Sequence, residues 1–273
     1  MAGRQEKIMK SFFYLLGLLL LTWNAQANEC PRIISQSPYI THSLKWLGLE
    51  KCIVGVSRYD RIDRPHTGGI SNPDKEAIDS LMPDIIFTSN RTKSSVLNDV
   101  TPQGTQAYRL NGFNTMQQIE NNLLTIGKAA GIKNISTRID EFHHDWQKAI
   151  KQIDAQGKKV LLISSCSGSP YSFGKQTWLY DLFSQAGFDV VETHDKIRHI
   201  KKGKEIEAIT GLLDRFKPEV LFIFERTLNT QCNLIMPKTP VRIVAMDGEH
   251  FLNPAPVLLK GLDELYQKKV RWQ

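Results

Sequence analysis

Three groups of residues in this sequence are of types that do chemistry, and spacing decides among them. The first is Ser164-Ser165-Cys166-Ser167-Gly168-Ser169, which follows an apolar run and invites a phosphate-loop or hydrolase reading. A phosphate loop needs four residues between its glycines and then Lys-Ser or Lys-Thr. Here five residues separate Gly168 from Gly174, and Lys175 is followed by Gln176. A nucleophile elbow needs Gly-x-Ser-x-Gly, and the chain has none. No catalytic constellation is left, so the expectation is a protein that is not an enzyme, with an exported α/β enzyme as the lesser alternative. A Ser/Gly/Pro loop after a parallel strand suits binding without turnover, because that is where α/β sheets hold ligands.

The second group is the seven histidines. His143 and His144 fall beside the apolar face of a helical pattern and read as solvated surface, while His42, His66, His194, His199 and His250 are scattered. A zinc or manganese site needs three or four convergent ligands with an ordered outer shell. His66, Asp247 and His250 could supply some of them, but no spacing demands it, and no metal site or resident cofactor is expected.

The third group is the aromatic, arginine and amide residues at predicted strand ends. The first half offers Tyr39, Arg58, Tyr59, Arg61, Asn90 and Arg91. The second offers Tyr171, Phe173, Trp178, Glu225, Arg226, Asp247, Glu249, His250 and Phe251. Rings that stack and guanidiniums that form charge-assisted hydrogen bonds together suit a cleft for a planar or anionic ligand. The expected binding residues are Tyr39, Arg58, Tyr59, Asn90, Arg91, Tyr171, Phe173, Arg226, Asp247 and His250.

Positioning these residues is the work of a regular α/β pattern around a long helical stretch. From Phe113 to Gly157 apolar residues recur in steps of three and four, which indicates amphipathic helix. Gly131 and Asn134 divide it into two helices, with Asn134 as the cap of the second. That second helix, about Ile135 to Ala155, would run roughly 30 Å. Before it, apolar strand-like runs at 32–35, 52–56, 84–88 and 105–110 alternate with helical patterns at 39–47 and 74–81. After it, runs at 160–163, 189–192, 220–224 and 241–245 alternate with helical patterns at 177–186, 205–216 and 255–270. Such alternation predicts parallel sheets covered by helices. The expected fold is α/β, with two Rossmann-like lobes joined by a single long backbone helix. The boundaries are a signal peptide over 1–27, an N-terminal lobe over 28–134, the helix over 135–156 and a C-terminal lobe over 157–273.

The leader reading rests on Arg4, Lys7 and Lys10 before the apolar run Phe12–Leu21, and on Ala25-Gln26-Ala27 as a small-residue cleavage site. An apolar core of about ten residues is short for a membrane span, which needs about 20. Cys30 does not make a lipoprotein motif, because Ala-Asn-Glu stands before it where a small residue should adjoin the cysteine. Cleavage removes three basic and one acidic residue, so the net charge of +7 becomes +5 over 246 residues. The basic surplus is spread without a stripe, which argues against nucleic acid as a partner. Cys30, Cys52, Cys166 and Cys232 all remain, in a compartment that permits disulfides. Four cysteines allow three pairings. The division into lobes favours Cys30 with Cys52 and Cys166 with Cys232.

The two halves share a short repeat. Leu81-Met82-Pro83-Asp84-Ile85-Ile86-Phe87 matches Phe216-Lys217-Pro218-Glu219-Val220-Leu221-Phe222 in residue type, and Glu76-Ala77-Ile78 and Glu207-Ala208-Ile209 lie upstream. The offsets to the proline, seven and eleven residues, differ by about one helical turn.

The order of elements resembles the class III, helical-backbone periplasmic substrate-binding proteins of ABC importers, of the ferric-siderophore and cobalamin type. The most specific piece is Gly69-Ile70-Ser71-Asn72-Pro73-Asp74-Lys75-Glu76-Ala77-Ile78 running into Leu81-Met82-Pro83-Asp84, with Ser169-Pro170-Tyr171-Ser172-Phe173-Gly174 and Asp247-Gly248-Glu249-His250-Phe251 in support. The resemblance implies a monomeric periplasmic receptor that holds an iron chelate or a corrinoid and passes it to an inner-membrane permease. It implies docking through one glutamate on each lobe, Glu76 and either Glu207 or Glu205. Thr41-His42 and Ser89-Asn90 depart from the cobalamin-binding pattern. Haem, zinc or manganese on the same fold is the alternative cargo.

Overall fold

Ile33, Ile34 and Ser35 have no exposed surface at all, which only a central strand covered on both faces allows. They form β1 (Ile33–Ser35) in a computed structural model that describes residues 30–164, 170–201, 203–225 and 237–273. There follow α1 (Pro38–Trp46), β2 (Ile53–Val56), α2 (Lys75–Ser80), β3 (Ile85–Ser89), α3 (Ser94–Val100) and β4 (Gln106–Leu110). The four strands make a wholly parallel sheet in the order β2-β1-β3-β4. Ile78 of α2 and Leu97 and Val100 of α3 cover one face by packing on Ile34 and Ile86. The α3 helix has no counterpart in the sequence reading, because its buried side consists of two residues only.

Two helices then cross between the sheets, α4 (Met116–Ala129) and α5 (Ile135–Ile153). Thr115 caps α4 by accepting the Gln118 N–H. Asn134 stands at the start of α5 but in a left-handed conformation with no side-chain cap, so it turns the chain instead of capping the helix. Nineteen residues make α5 about 28 Å long. It buries Ile135, Phe142, Trp146, Ile150 and Ile153 against α4 and a C-terminal helix. Gly127 of α4 permits this closeness, since a Cβ there would lie 2.4 Å from Ile135. Arg138 ties α5 to the end of α1 by donating to the carbonyls of Trp46 and Leu47 while lying over the Trp46 ring.

The second lobe comprises β5 (Lys159–Ser164), β6 (Tyr171–Ser172), α6 (Trp178–Gln185), β7 (Asp189–Val190), β8 (Arg198–His199), α7 (Glu205–Phe216), β9 (Val220–Glu225) and β10 (Arg242–Asp247). The chain ends in α8 (Gly248–Phe251), α9 (Leu258–Gln267) and α10 (Lys269–Trp272). Alternation with period two divides the strands between faces. Leu161, Ile163, Leu221 and Ile223 meet Ile209, Leu212 and Leu213 of α7, whereas Phe222 and Phe224 meet the Phe183 ring of α6. This sheet is parallel through β10-β9-β5 and β7, but β6 and β8 add to it antiparallel. The sequence reading of parallel strands alone is corrected there. Only six residues join β5 to β6, and a parallel crossover needs a dozen or more. The predicted helix over 255–270 is likewise two helices, α9 and α10, meeting at Lys268.

Cys30 and Cys52 are disulfide-bonded. Cys166, Cys232, Arg226 and the expected leader over 1–27 lie outside the described residues. Among the described residues no helix is long and apolar enough to cross a membrane.

Candidate functional site

In a parallel sheet the loops at the carboxyl ends of the strands come together, and there the two lobes face each other across a cleft. The start of α1, just after β1, brings Pro38 and Tyr39, the loop after β2 brings Tyr59, that after β3 brings Asn90 and Arg91, and that after β4 brings Phe113 and Asn114. From the other lobe come Tyr171, Trp178, Leu252, Asn253 and Pro254. The space enclosed is about 440 Å³, within the range of roughly 300–1,000 Å³ typical of sites for organic ligands.

Five of the lining residues are aromatic, and Arg91 is the one charged residue in the lining among the described residues. Tyr39 and Phe113 pack as a tilted pair with centroids 4.5 Å apart. Across the cleft Trp178 and Tyr171 flank Phe173, at 5.5 and 5.2 Å. The Trp178 indole is held by its N–H, which donates to the Phe251 carbonyl at 2.8 Å. Ser71, Asn72, Asn90, Asn114 and Asn253 complete a polar rim.

A buried carboxylate fixes the strand that carries Tyr171. Glu192 is fully buried and accepts from Ser172 on β6, from both the Nε and an Nη of Arg198 on β8, and from the N–H groups of Thr193 and His194. Burial alone would raise its pKa, but the Arg198, Ser172 and His194 hydrogen bonds outweigh that and hold it down at about 2. Gly174 follows, with the Lys196 carbonyl where a Cβ would sit, only 2.1 Å away. No larger residue fits there.

Beside the main cleft lies a smaller crevice of about 170 Å³. Arg61 and Glu249 meet across it at 3.2 Å, joining the loop after β2 to α8. Burial raises the pKa of the neighbouring Asp60, while hydrogen bonds from Ser57 and Thr41 oppose the rise.

No family model matches the sequence, and no curated protein matches it. Solved structures do match. A periplasmic heme-binding protein from Pseudomonas aeruginosa superposes with a TM-score of 0.71 at 20% identity, over 87% of this chain and 91% of its own. The vitamin B12 binding protein BtuF of Vibrio cholerae gives 0.67 at 16% identity, over 89% and 97%. The siderophore-binding protein BauB, bound to acinetobactin and ferric iron, gives 0.64 at 14% identity, over 87% and 93%. This chain has the class III periplasmic binding-protein fold.

Within that binding-protein fold, Tyr39, Tyr59, Asn90, Arg91 and Tyr171 all line the cleft. Phe173 does not reach it: the side chain is wholly buried between Tyr171, Trp178 and Phe224 and supports the wall from behind. Arg58 is exposed against Gly69 and outside the described lining. Asp247 caps α8 by accepting the Glu249 N–H, and its own N–H donates to Glu264. His250 also turns to Glu264, at 3.2 Å. Burial raises the Glu264 pKa, but Lys268, the Asp247 N–H and His250 together bring it below the usual range. These residues therefore hold α8 onto α9. Phe113, Asn114 and Asn253 are lining residues that the sequence reading did not single out as binding groups. Phe113 was hidden by its fit to the helical stripe that follows it, and Asn253 carries no local signal.

Glu76 and Glu207 are both exposed in the first turns of α2 and α7, and in each case a wholly buried isoleucine (Ile78, Ile209) follows two residues later. A carboxylate suits that position because the helix dipole is positive there. Glu207 contacts Lys204 at 3.4 Å.

Proposed function

We propose that this chain is a periplasmic receptor that captures an organic metal chelate, an iron chelate or a corrinoid, between its lobes and hands it to an inner-membrane ABC importer. The observation that carries this reading is the cleft itself: aromatic rings from both lobes face a space of about 440 Å³ with Arg91 at its edge. Stacking would hold a flat ligand, and a guanidinium would meet an anionic group on it. Turnover is not part of the reading, because the described lining sets its hydroxyls and amides beside one cation and no carboxylate, imidazole or thiol. Glu76 and Glu207 are the proposed permease contacts, one from each lobe, supported by their matching exposed positions. The exported location follows from the leader over 1–27, and the receptor works as a monomer.

Haem is the second reading, favoured by Tyr39, Tyr59 and Tyr171 at the cleft, since a phenolate can serve as an axial ligand to haem iron. Capture of a bare ion has less support. Among the described residues no group of three or more His, Cys, Asp or Glu side chains gathers to hold one.

The test is thermal unfolding of residues 28–273 with cobalamin, cobinamide, several ferric siderophores, haemin, zinc and manganese. A ligand at 100 times its dissociation constant adds about 2.7 kcal/mol. A shift with one organic chelate supports the receptor and names its cargo. A shift with bare metal alone would overturn the chelate reading.

A further inference from the structure

The loop that presents Arg91 is held from behind by a second arginine. Arg109 lies on β4 opposite Thr88 of β3, half-buried. Its Nε donates to the Thr92 carbonyl at 2.7 Å and its Nη2 to the Asn90 carbonyl at 2.8 Å. One rigid guanidinium thus grips the backbone on both sides of Arg91. The Arg91 guanidinium itself has no hydrogen bond or ion pair among the described residues, and it is exposed at the cleft. Thr92 extends the grip. Its buried hydroxyl pairs with that of Thr88 and donates to the Ile70 carbonyl, and Ile70, Ser71 and Asn72 form the next stretch of cleft wall.

We infer that Arg109 is a positioning residue: it locks the 89–92 and 69–72 loops into one wall and so presents Arg91 to an anionic group of the ligand. The planar fork is what the task requires. A lysine keeps the charge but has one nitrogen, which cannot bridge two carbonyls from a fixed direction. Site groups pre-set in this way lose less conformational freedom when a ligand arrives. The inference rests on the receptor reading for its ligand, but the coupling of the two loops can be tested without one.

Hydrogen exchange on the free protein decides the coupling. In Arg109→Lys, amides of both 69–72 and 90–92 should exchange about tenfold faster, with β1 and β3 unchanged. Thr92→Val, which keeps the shape without the hydroxyl, should speed 69–72 alone. Haemin, which carries two carboxylates, is the binding probe. Arg91→Ala and Arg109→Lys should each weaken it about tenfold and flatten its salt dependence, and the double variant should be no worse than either. Unchanged loop exchange in Arg109→Lys, or losses that add in the double variant, would overturn the inference. Wild-type protein that binds haemin and every other panel member equally poorly would instead sink the receptor reading, and the exchange result would then decide the loop coupling by itself.

Discussion

The two lobes are built alike where their strands begin and differently where they end. At the base, the acid after each proline ties two strands together. The Arg32 N–H donates to the Asp84 carboxylate at 2.7 Å, and the Lys159 N–H donates to that of Glu219 at 2.9 Å. The Asp84 and Glu219 N–H groups donate back to the carbonyls of Arg32 and Lys159, both at 2.9 Å. Just before each proline the chain passes through a left-handed residue, Met82 at φ 42° and Lys217 at φ 46°. At the cleft the resemblance ends. The first lobe fixes its loops with a guanidinium that donates to carbonyls, Arg109. The second fixes its strand with a buried carboxylate that accepts from everything around it, Glu192. The comparison teaches that this repeat specifies a way of starting a sheet, whereas each lobe sets its own binding surface.

Four experiments would break or sharpen that contrast. The largest effect belongs to the second lobe alone. Arg198→Met would leave the Glu192 charge buried and short of its main partner, which costs on the order of 4 kcal/mol, read as a lower urea midpoint at pH 7. A loss below about 1 kcal/mol would mean that Ser172 and the backbone N–H groups suffice.

Acid comes next. Glu192 has a folded pKa of about 2 against an ordinary 4.5, so its contribution is complete above 4.5 and is lost as pH falls towards 2. The shift corresponds to on the order of 3 kcal/mol. Wild-type stability should fall through that window more steeply than that of Glu192→Gln, measured by urea unfolding at a series of pH values. Parallel curves would remove Glu192 as the anchor.

The third effect should be the same in both lobes. Asp84→Ala and Glu219→Ala each delete the charge-assisted bond to the N–H at the start of the paired strand, for a loss of about 1 kcal/mol. The exposed Lys158 contact of Glu219 adds little. Glu219 should titrate below its ordinary range, chiefly because of the Lys159 N–H, with Lys158 adding to it. Unequal losses would show that the repeat is not energetically symmetric. The smallest effect is a gain. Met82→Gly and Lys217→Gly relieve a left-handed backbone at a modest cost in chain entropy, and each should raise the unfolding midpoint by about 0.5 kcal/mol of stability.

Much of the scaffold was legible because its signals are local. The apolar steps from Met116 to Ile153 and the buried runs at Ile33 and Leu161 all act within a turn or a strand of their own position. The site was legible only as a class of residue in a class of place. Tyr171 and Arg91 follow strands and line the cleft with Tyr39, but Phe173 shares their character and is buried, because Tyr171, Trp178 and Phe224, brought from three separate elements, close around it. Asp247 and His250 have the chemistry of ligand contacts, yet the Asp247 carboxylate is taken by the Glu249 N–H and His250 turns to Glu264, fourteen residues away. Arg109 gave no signal at all, since its partners are carbonyls 17 and 19 residues distant.

By itself, then, the sequence determined the alternation of the main strands and helices, the repeated proline-acid start of each sheet and the division by a long helix, because periodicity depends on neighbours a few residues apart. Only the tertiary structure decided which rings face the cleft, which buried charge is satisfied and which arginine stands at the cleft without a partner among the described residues. Those outcomes depend on groups brought together from elements far apart in the chain, as Tyr39 and Trp178 are. No local pattern records how burial and hydrogen bonding will share them out.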